Sequence, residues 1–332
     1  MNAQVGRCCA DQNLMASFQL PDAMERFSRS IAPRLVRSSV VVDGRNVGVV
    51  TAGDGIPLVM VHGFGVESML YAQMLSRIAT LGFRVIGIDI AGHGDSDPIG
   101  IVPTIDGFAE MIDAALDQLD VNEAVFVGHS MGGRLVAELC AARPERAIAL
   151  ILLDAIVGAP WDALRPWLRW CPPALGLYGL GGAIDVASTL PARIDKRQAF
   201  KITRRVRSSV VQLITEPWHG LMAGAAVLRA SSSADVLDRV GAANIASFVV
   251  HGDRDLLVPT VASLDAAHRL HATYVTVHTG RHSWMIRDPN ALPTIIAALL
   301  DGTLGCAIKS RGLRIDSVSP VATPRLKFTI DR

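Results

Sequence analysis

From about residue 36 onward, short runs of β-branched and apolar residues alternate with longer stretches in which apolar positions recur every three or four residues. The first kind of run fits strands and the second fits helices with one buried face. The runs fall at 37–42, 46–51, 57–61, 84–89, 124–128, 147–153, 246–251 and 273–278, and helical patterns occupy 68–80, 104–119, 132–142, 260–270 and 289–300. Asp43-Gly44-Arg45 separates the first two runs, which predicts an antiparallel hairpin. Helices long enough to cross back over a sheet separate most of the others. The pattern therefore predicts an α/β protein with a mostly parallel eight-stranded sheet flanked by helices. Asp288 before Pro289 reads as an N-cap followed by proline at the first helical position, and Pro259 opens its helix in the same way.

The alternation stops between residues 156 and 240, where amphipathic helical patterns occur without a convincing strand. This stretch is expected to be a helical cap inserted into a core made of 36–155 and 241–302. Residues 1–35 form an N-terminal extension. Residues 303–332 show little periodicity and carry Pro320 and Pro324, which predicts a loosely held tail.

Composition narrows the classes of function. Half the residues are hydrophobic, and 32 Lys and Arg face 31 Asp and Glu, a net charge of +1. Such a balance gives no electrostatic footprint for nucleic acid. The densest basic stretch, 201–207, reads as the solvated face of a helix. Cys8, Cys9, Cys140, Cys171 and Cys306 are odd in number and lack metal-ligand or redox spacing, so no disulfide framework is expected and a cytoplasmic location is the default. Arg7, Asp11 and Gln12 interrupt any apolar signal core. The longest uncharged stretch, 170–184, contains Pro172, Pro173 and four glycines and is too short to span a bilayer, which leaves peripheral contact with lipid open.

The strongest chemical signal is Gly128-His129-Ser130-Met131-Gly132, entered from a β-run and left into a helical pattern. A serine on a sharp strand-to-helix turn needs small neighbours, and the turn pushes its hydroxyl above the sheet edge. A hydroxyl is a poor nucleophile at neutral pH, so it requires a base, and the base requires an orienting group. Both follow in order: His251-Gly252-Asp253-Arg254-Asp255 comes after the seventh run and Gly280-Arg281-His282-Ser283-Trp284 after the eighth. Loops at the C-terminal ends of parallel strands converge on one crevice, which brings serine, acid and histidine together.

These motifs resemble the α/β-hydrolase superfamily over about residues 36–301, as do His62-Gly63-Phe64-Gly65 and Asp89-Ile90-Ala91-Gly92-His93-Gly94-Asp95-Ser96-Asp97. The resemblance implies Ser130 as nucleophile, His282 as base and Asp255 as the acid, with Asp154 and Asp253 as alternatives at neighbouring strand ends. It further implies an oxyanion hole from the backbone N–H groups of Phe64 and Met131, and a mainly structural role for the turn around Asp89. His-Gly-Phe-Gly in place of the His-Gly-Gly-Gly of many lipases points to smaller substrates. Arg281 stands where the family often has glycine. Serine at the nucleophile position confines any likeness to the family's haloalkane dehalogenases and epoxide hydrolases to fold.

The implied reaction is hydrolysis of a carboxylic ester through an acyl-enzyme, without cofactor or metal, with His282 titrating near neutrality, roughly 6 to 7.5. The alternatives are hydrolysis of a carbon–carbon bond in a diketone-like metabolite and a non-catalytic ligand-binding protein that keeps the fold. His268 and His271 share a helical face without an acidic partner, which disfavours a metal site there. Trp161, Trp167, Trp170 and Trp218 lie in the expected cap and Trp284 close behind His282. Trp167, Trp170, Trp218 and Trp284 are the candidates for contacts with an apolar small-molecule substrate.

Overall fold

A computed structural model describes residues 15–19, 32–100, 102–189, 211, 215, 217–315 and 327–329. All eight apolar runs are strands of one sheet: β2 (Val36–Val42), β3 (Arg45–Ala52), β4 (Ile56–Val61), β5 (Phe83–Ile88), β6 (Ala124–His129), β7 (Ala147–Leu153), β8 (Ala246–Gly252) and β9 (Thr273–His278). Two further strands, β1 (Met15–Gln19) and β10 (Lys327–Thr329), extend it to ten in the order β10-β1-β9-β8-β7-β6-β4-β5-β3-β2. Strand β1 runs parallel to β9, and β10 runs antiparallel to β1. Both come from the terminal segments and finish the edge that β9 would otherwise leave open. Runs of five and three residues carry too little pattern to be recognised without that edge.

The central strands read as continuous apolar runs because helices cover both faces. Phe126 of β6 faces one core layer with Ile112, Leu135 and Leu237, whereas its neighbours Val125 and Val127 face the other with Leu75, Leu292 and Ile295. The first layer lies under α2 (Ile105–Gln118), α3 (Met131–Ala142), α7 (Ser233–Ala242) and α8 (Thr260–Arg269). The second lies under α1 (Ala72–Ala79), α10 (Ala291–Leu300) and α11 (Thr303–Ser310). The tail read as loose thus begins with a packed helix, with Leu304 and Ile308 buried.

Two helix starts differ from expectation. Asp288 does not cap α10. Its Oδ1 accepts the N–H of Asn290 at 3.0 Å, and the helix begins only at Ala291. Pro259 sits one residue before the first turn of α8, with extended backbone angles of −62° and 136°.

Between β7 and β8 come α4 (Ala159–Trp170), α5 (Pro172–Thr189), α6 (Pro217–Arg229) and then α7. Asp162 fixes α4 to the start of α7: its carboxylate accepts the N–H groups of Ser233 and Ala234 and pairs with Arg165 at 3.0 Å. Helix α7 buries Leu237 and Val240 in the same core layer that receives Trp161 and Leu168 of α4 and Ala223 and Ala226 of α6. The basic stretch 201–207, Pro320 and Pro324, Cys8 and Cys9, and the N-terminal segment around Arg7 lie outside the described residues. Cys140 and Cys171 are free, but Cys306 in α11 is disulfide-bonded, which corrects the expectation of a wholly reduced set. No single helix among the described residues is long and apolar enough to cross a membrane.

Candidate active site

Strand β6 delivers Ser130 into a left-handed backbone conformation, φ 53° and ψ −117°, that a side chain-bearing residue rarely adopts. The flanking glycines are there for lack of room. A Cβ at Gly128 would stand 2.5 Å from the carbonyl oxygen of Gly132, one at Gly132 2.2 Å from that of Val61, and one at Gly133 2.4 Å from Cβ of Ala155. The turn is held from below by the Ser130 N–H to the Leu153 carbonyl at 3.0 Å, and the Ser130 carbonyl accepts from Gly133 at 3.0 Å.

The acid and histidine loops meet as the chain order implies. Asp255 Oδ2 lies 2.8 Å from His282 Nδ1. Its Oδ1 accepts the N–H groups of Leu257 at 2.7 Å and Val258 at 3.0 Å. Burial opposes its charge, but His282 and those two N–H groups hold its pKa below the ordinary carboxylate value. Asp253 is elsewhere occupied, accepting from the Thr279 N–H at 2.7 Å and meeting His278 at 3.1 Å near the surface.

Asp154, the other alternative acid, does not touch His282 but braces both loops. Its Oδ1 accepts the N–H of Gly252 at 2.9 Å and lies 3.1 Å from Nδ1 of His251, while its Oδ2 accepts the indole N–H of Trp284 at 2.6 Å. Oxygen and nitrogen atoms of Asp154, His251 and Asp255 lie within 4.8 Å of one another, a spacing that suits a cation. These atoms are engaged by Gly252, Trp284, Ser263, His282, Leu257 and Val258, so the group is a hydrogen-bonded brace.

Two further histidines lock the loops in place. His62 Nε2 accepts the N–H of Ile90 at 2.9 Å, so its Nδ1–H donates to the Gly63 carbonyl at 2.7 Å, and burial lowers its pKa to about 4. That closes the His62-Gly63-Phe64-Gly65 turn, in which a Cβ at Gly63 would stand 3.3 Å from Cβ of Ser130. Phe64 therefore follows directly on the backbone that abuts the serine, and Met131 opens α3 on the other side. His129 Nε2 lies 3.0 Å from the carbonyl oxygen of His282, which can only accept, so Nε2 carries the proton and Nδ1 accepts from the Tyr71 hydroxyl at 2.8 Å. Burial, then the charge of His282, lowers its pKa to about 3 and keeps the ring neutral.

His282 behaves differently. Burial works against its cation, but Asp255 in contact, with Asp154 and Asp185 nearby, outweighs burial and raises its pKa to about 9. This moves the titration above the neutral range expected from sequence. Asp185 is the residue that sequence reasoning missed. It projects from cap helix α5, is 2 % exposed, and its Oδ2 accepts the Ser283 hydroxyl at 2.6 Å. A signal for it exists: Ala174, Tyr178, Gly181 and Asp185 share one helical face, which puts the single acid of α5 on the side that packs inward.

The cap rests on the same loops. Cβ atoms at Gly181 and Gly182 of α5 would lie 3.6 and 3.9 Å from the Leu257 side chain, and one at Gly224 of α6 would lie 3.8 Å from the Phe64 ring. His219 of α6 packs on Gly92 in the turn after β5. That turn is structural, as the resemblance implied: Asp89 accepts the N–H groups of Ser68 at 2.7 Å and Asp95 at 3.1 Å, and the Ser96 hydroxyl donates to the Asp89 carbonyl at 2.7 Å.

The tryptophans divide. Trp284 is buried in the core beneath the site, bonded to Asp154, and is corrected from substrate contact to structural support. Trp161 is buried against Tyr178 at 5.8 Å between ring centres. Trp167, Trp170 and Trp218 are 69, 75 and 69 % exposed. The first two lie on the outer stripe of α4 with Ala163 and Pro166, opposite the face of Trp161, Arg165 and Leu168 that packs inward.

A family model described as serine aminopeptidase, S33, matches residues 57–290. A relative from Mycobacterium phage D29 named as a non-heme haloperoxidase is 35 % identical over 269 residues, covering 79 % of this chain and 94 % of its own. Among solved structures, an N-acyl homoserine lactone degrading enzyme superposes with a TM-score of 0.62 at 23 % identity, over 78 % of this chain and 99 % of that one. A meta-cleavage product hydrolase superposes at 0.59 and 19 %, over 80 % and 97 %. These two likenesses show the fold.

Proposed function

The chain belongs to the α/β-hydrolase superfamily, and from that premise we propose that it is a serine hydrolase cleaving carboxylic esters of apolar small molecules through an acyl-enzyme. The observation that supports this reading is a buried His282 that Asp255 holds at 2.8 Å, in a chain that also places Ser130 at a strand-to-helix turn with φ 53°. Ser130 Oγ attacks the ester carbonyl and gives its proton to His282. The N–H groups of Phe64 and Met131 receive the oxyanion, and two such donors are worth about 2.7–4 kcal/mol each. Collapse of the tetrahedral species expels the alcohol, which takes the proton from the imidazolium. Water then attacks the acyl group, loses its proton to His282, and releases the acid as Ser130 regains its hydrogen. The cap helices resting on Phe64 and Leu257 exclude bulk water and offer apolar surface to the acyl group.

A fluorophosphonate should modify Ser130 alone, with activity lost in proportion to labelling, read by mass spectrometry of the peptides. Full activity in Ser130→Ala would refute the assignment. The same preparation, given a panel of p-nitrophenyl esters and a ring-opened diketone, should turn over the esters faster. Faster cleavage of the diketone would establish the carbon–carbon reading, and tight binding of either without turnover the non-catalytic one.

A further inference from the structure

The exposed surface of α4 and α5 is apolar where a protein facing water is ordinarily polar. Helix α5 turns Ala174, Tyr178, Gly181 and Asp185 inward, and the stripe that flanks this face carries Leu177, Leu180 and Ile184, which are 71, 56 and 45 % exposed. Leu175 is exposed on the other flank of α5, and the preceding helix α4 exposes Ala163, Pro166, Trp167 and Trp170. From residue 163 to 184 the exposed side chains include a single charge, Arg169, whose guanidinium lies 4.8 Å from the ring centre of Trp170. Trp218 and Leu221 at the start of α6 are exposed as well. Exposed large apolar side chains concentrated in this way on neighbouring helices point to a contact with a partner or a membrane.

Charge decides between those two. From the first residue of α4 to the last of α6 the sequence has ten Lys and Arg against four Asp and Glu, a net +6 in a chain whose total is +1, and seven of the ten fall at 193–207, outside the described residues. The remainder of the chain is consequently net negative. A basic, apolar insertion on an acidic body repels neither lipid tails nor anionic headgroups, and its exposed tryptophans are the residue type that settles at a membrane–water boundary. A second copy of the chain would place two cationic caps against each other, which disfavours a dimer through this face.

We propose that the outer face of α4 and α5 docks the protein on an anionic lipid bilayer, with Leu177 and Leu180 entering the acyl boundary. Seated in this way, the cap helices that touch Phe64 and Leu257 lie between the lipid and Ser130, so apolar molecules dissolved in the bilayer reach the site without crossing water. The inference concerns binding and stands whether or not the ester reading of the site holds.

The test is co-sedimentation of the full chain with vesicles of phosphatidylcholine alone and with about a third phosphatidylglycerol, at low salt and at 0.5 M salt (~3–10 Å screening lengths). The expected result is binding to the anionic vesicles, weakened by salt, with a blue shift in tryptophan emission. Leu177→Asp/Leu180→Asp should lose binding about tenfold or more, with hydrolysis of a soluble ester unchanged. Leu177→Gln/Leu180→Gln serves if the charged pair fails to fold, with a loss in the same direction. No binding to anionic vesicles, equal binding to both compositions, or wild-type binding by the variants would each overturn the proposal. So would a dimer in sedimentation equilibrium that the variants dissociate while vesicles are ignored.

Discussion

His282 sits among three carboxylates, and the protonation state this imposes governs when the site can work. In the proposed mechanism only the neutral imidazole accepts the proton of Ser130, so hydrolysis should rise with pH as the ring deprotonates. With the pKa raised to about 9, kcat/KM for a soluble ester should still be climbing at pH 8. A profile already flat by pH 7.5 would show that the carboxylates do not act on the ring in the working enzyme. Asp185→Asn removes one negative charge near the imidazolium and keeps the contact with the Ser283 hydroxyl. Its midpoint should fall by roughly half a unit to one unit. An unmoved midpoint would leave Asp185 a packing residue only. Asp255→Asn should lower kcat about ten-thousandfold by analogy with other triads, while Asp253→Asn, in a surface contact with His278 and Thr279, should change it less than about twofold.

The elements around the serine leave little freedom for substitution. Gly132→Ala sets a Cβ 2.2 Å from a backbone oxygen of β4, and neither backbone can yield without shifting the sheet or the turn. Its cost should lie at the upper end of about 1–3 kcal/mol, read as a lower urea midpoint, together with loss of phosphonate labelling. A contrasting position is Thr104, whose hydroxyl accepts the Gly107 N–H at 3.0 Å at the start of α2, remote from the site. Thr104→Ala should cost about 1 kcal/mol with no change in kcat. If both variants lost labelling equally, the damage would be global and the argument from close approach at Gly132 would fail.

For the molecule as a whole, the ester reading predicts that specificity follows the inner surface of the cap and not its outer tryptophans. Burying each additional methylene of an acyl chain is worth about 0.8 kcal/mol, or roughly three- to fourfold in kcat/KM, until the space is filled. A series from acetyl to hexanoyl esters should show that climb. Gly224→Leu would fill space beside the Phe64 ring and should end the climb at a shorter chain, whereas Trp167→Ala and Trp170→Ala should keep the wild-type profile for soluble esters. A changed profile in the tryptophan variants and none in the glycine variant would reverse the assignment of the two faces.

The sequence by itself determined the eight strands, the mostly parallel character of the sheet with an antiparallel hairpin at the start, the inserted helices, and the loops that carry Ser130, Asp255 and His282. These are local matters: apolar period and run length report whether one or both faces of an element are covered, and a glycine pattern reports where a backbone must turn sharply. Tertiary structure alone decided the rest. Which of Asp154, Asp253 and Asp255 meets His282 depends on how two loops from different strands cross, and the residues between them in the chain do not encode that distance. Strands β1 and β10 exist because a free sheet edge accepts them. Trp161 and Trp284 have the same composition signal as Trp167 and Trp170 but opposite burial, because a side chain's fate follows from the rotation of its helix against its neighbours. The charge environment of His282 gathers carboxylates from the residue just past β7, from α5 and from the loop after β8, a sum over through-space distances to which sequence separation is blind.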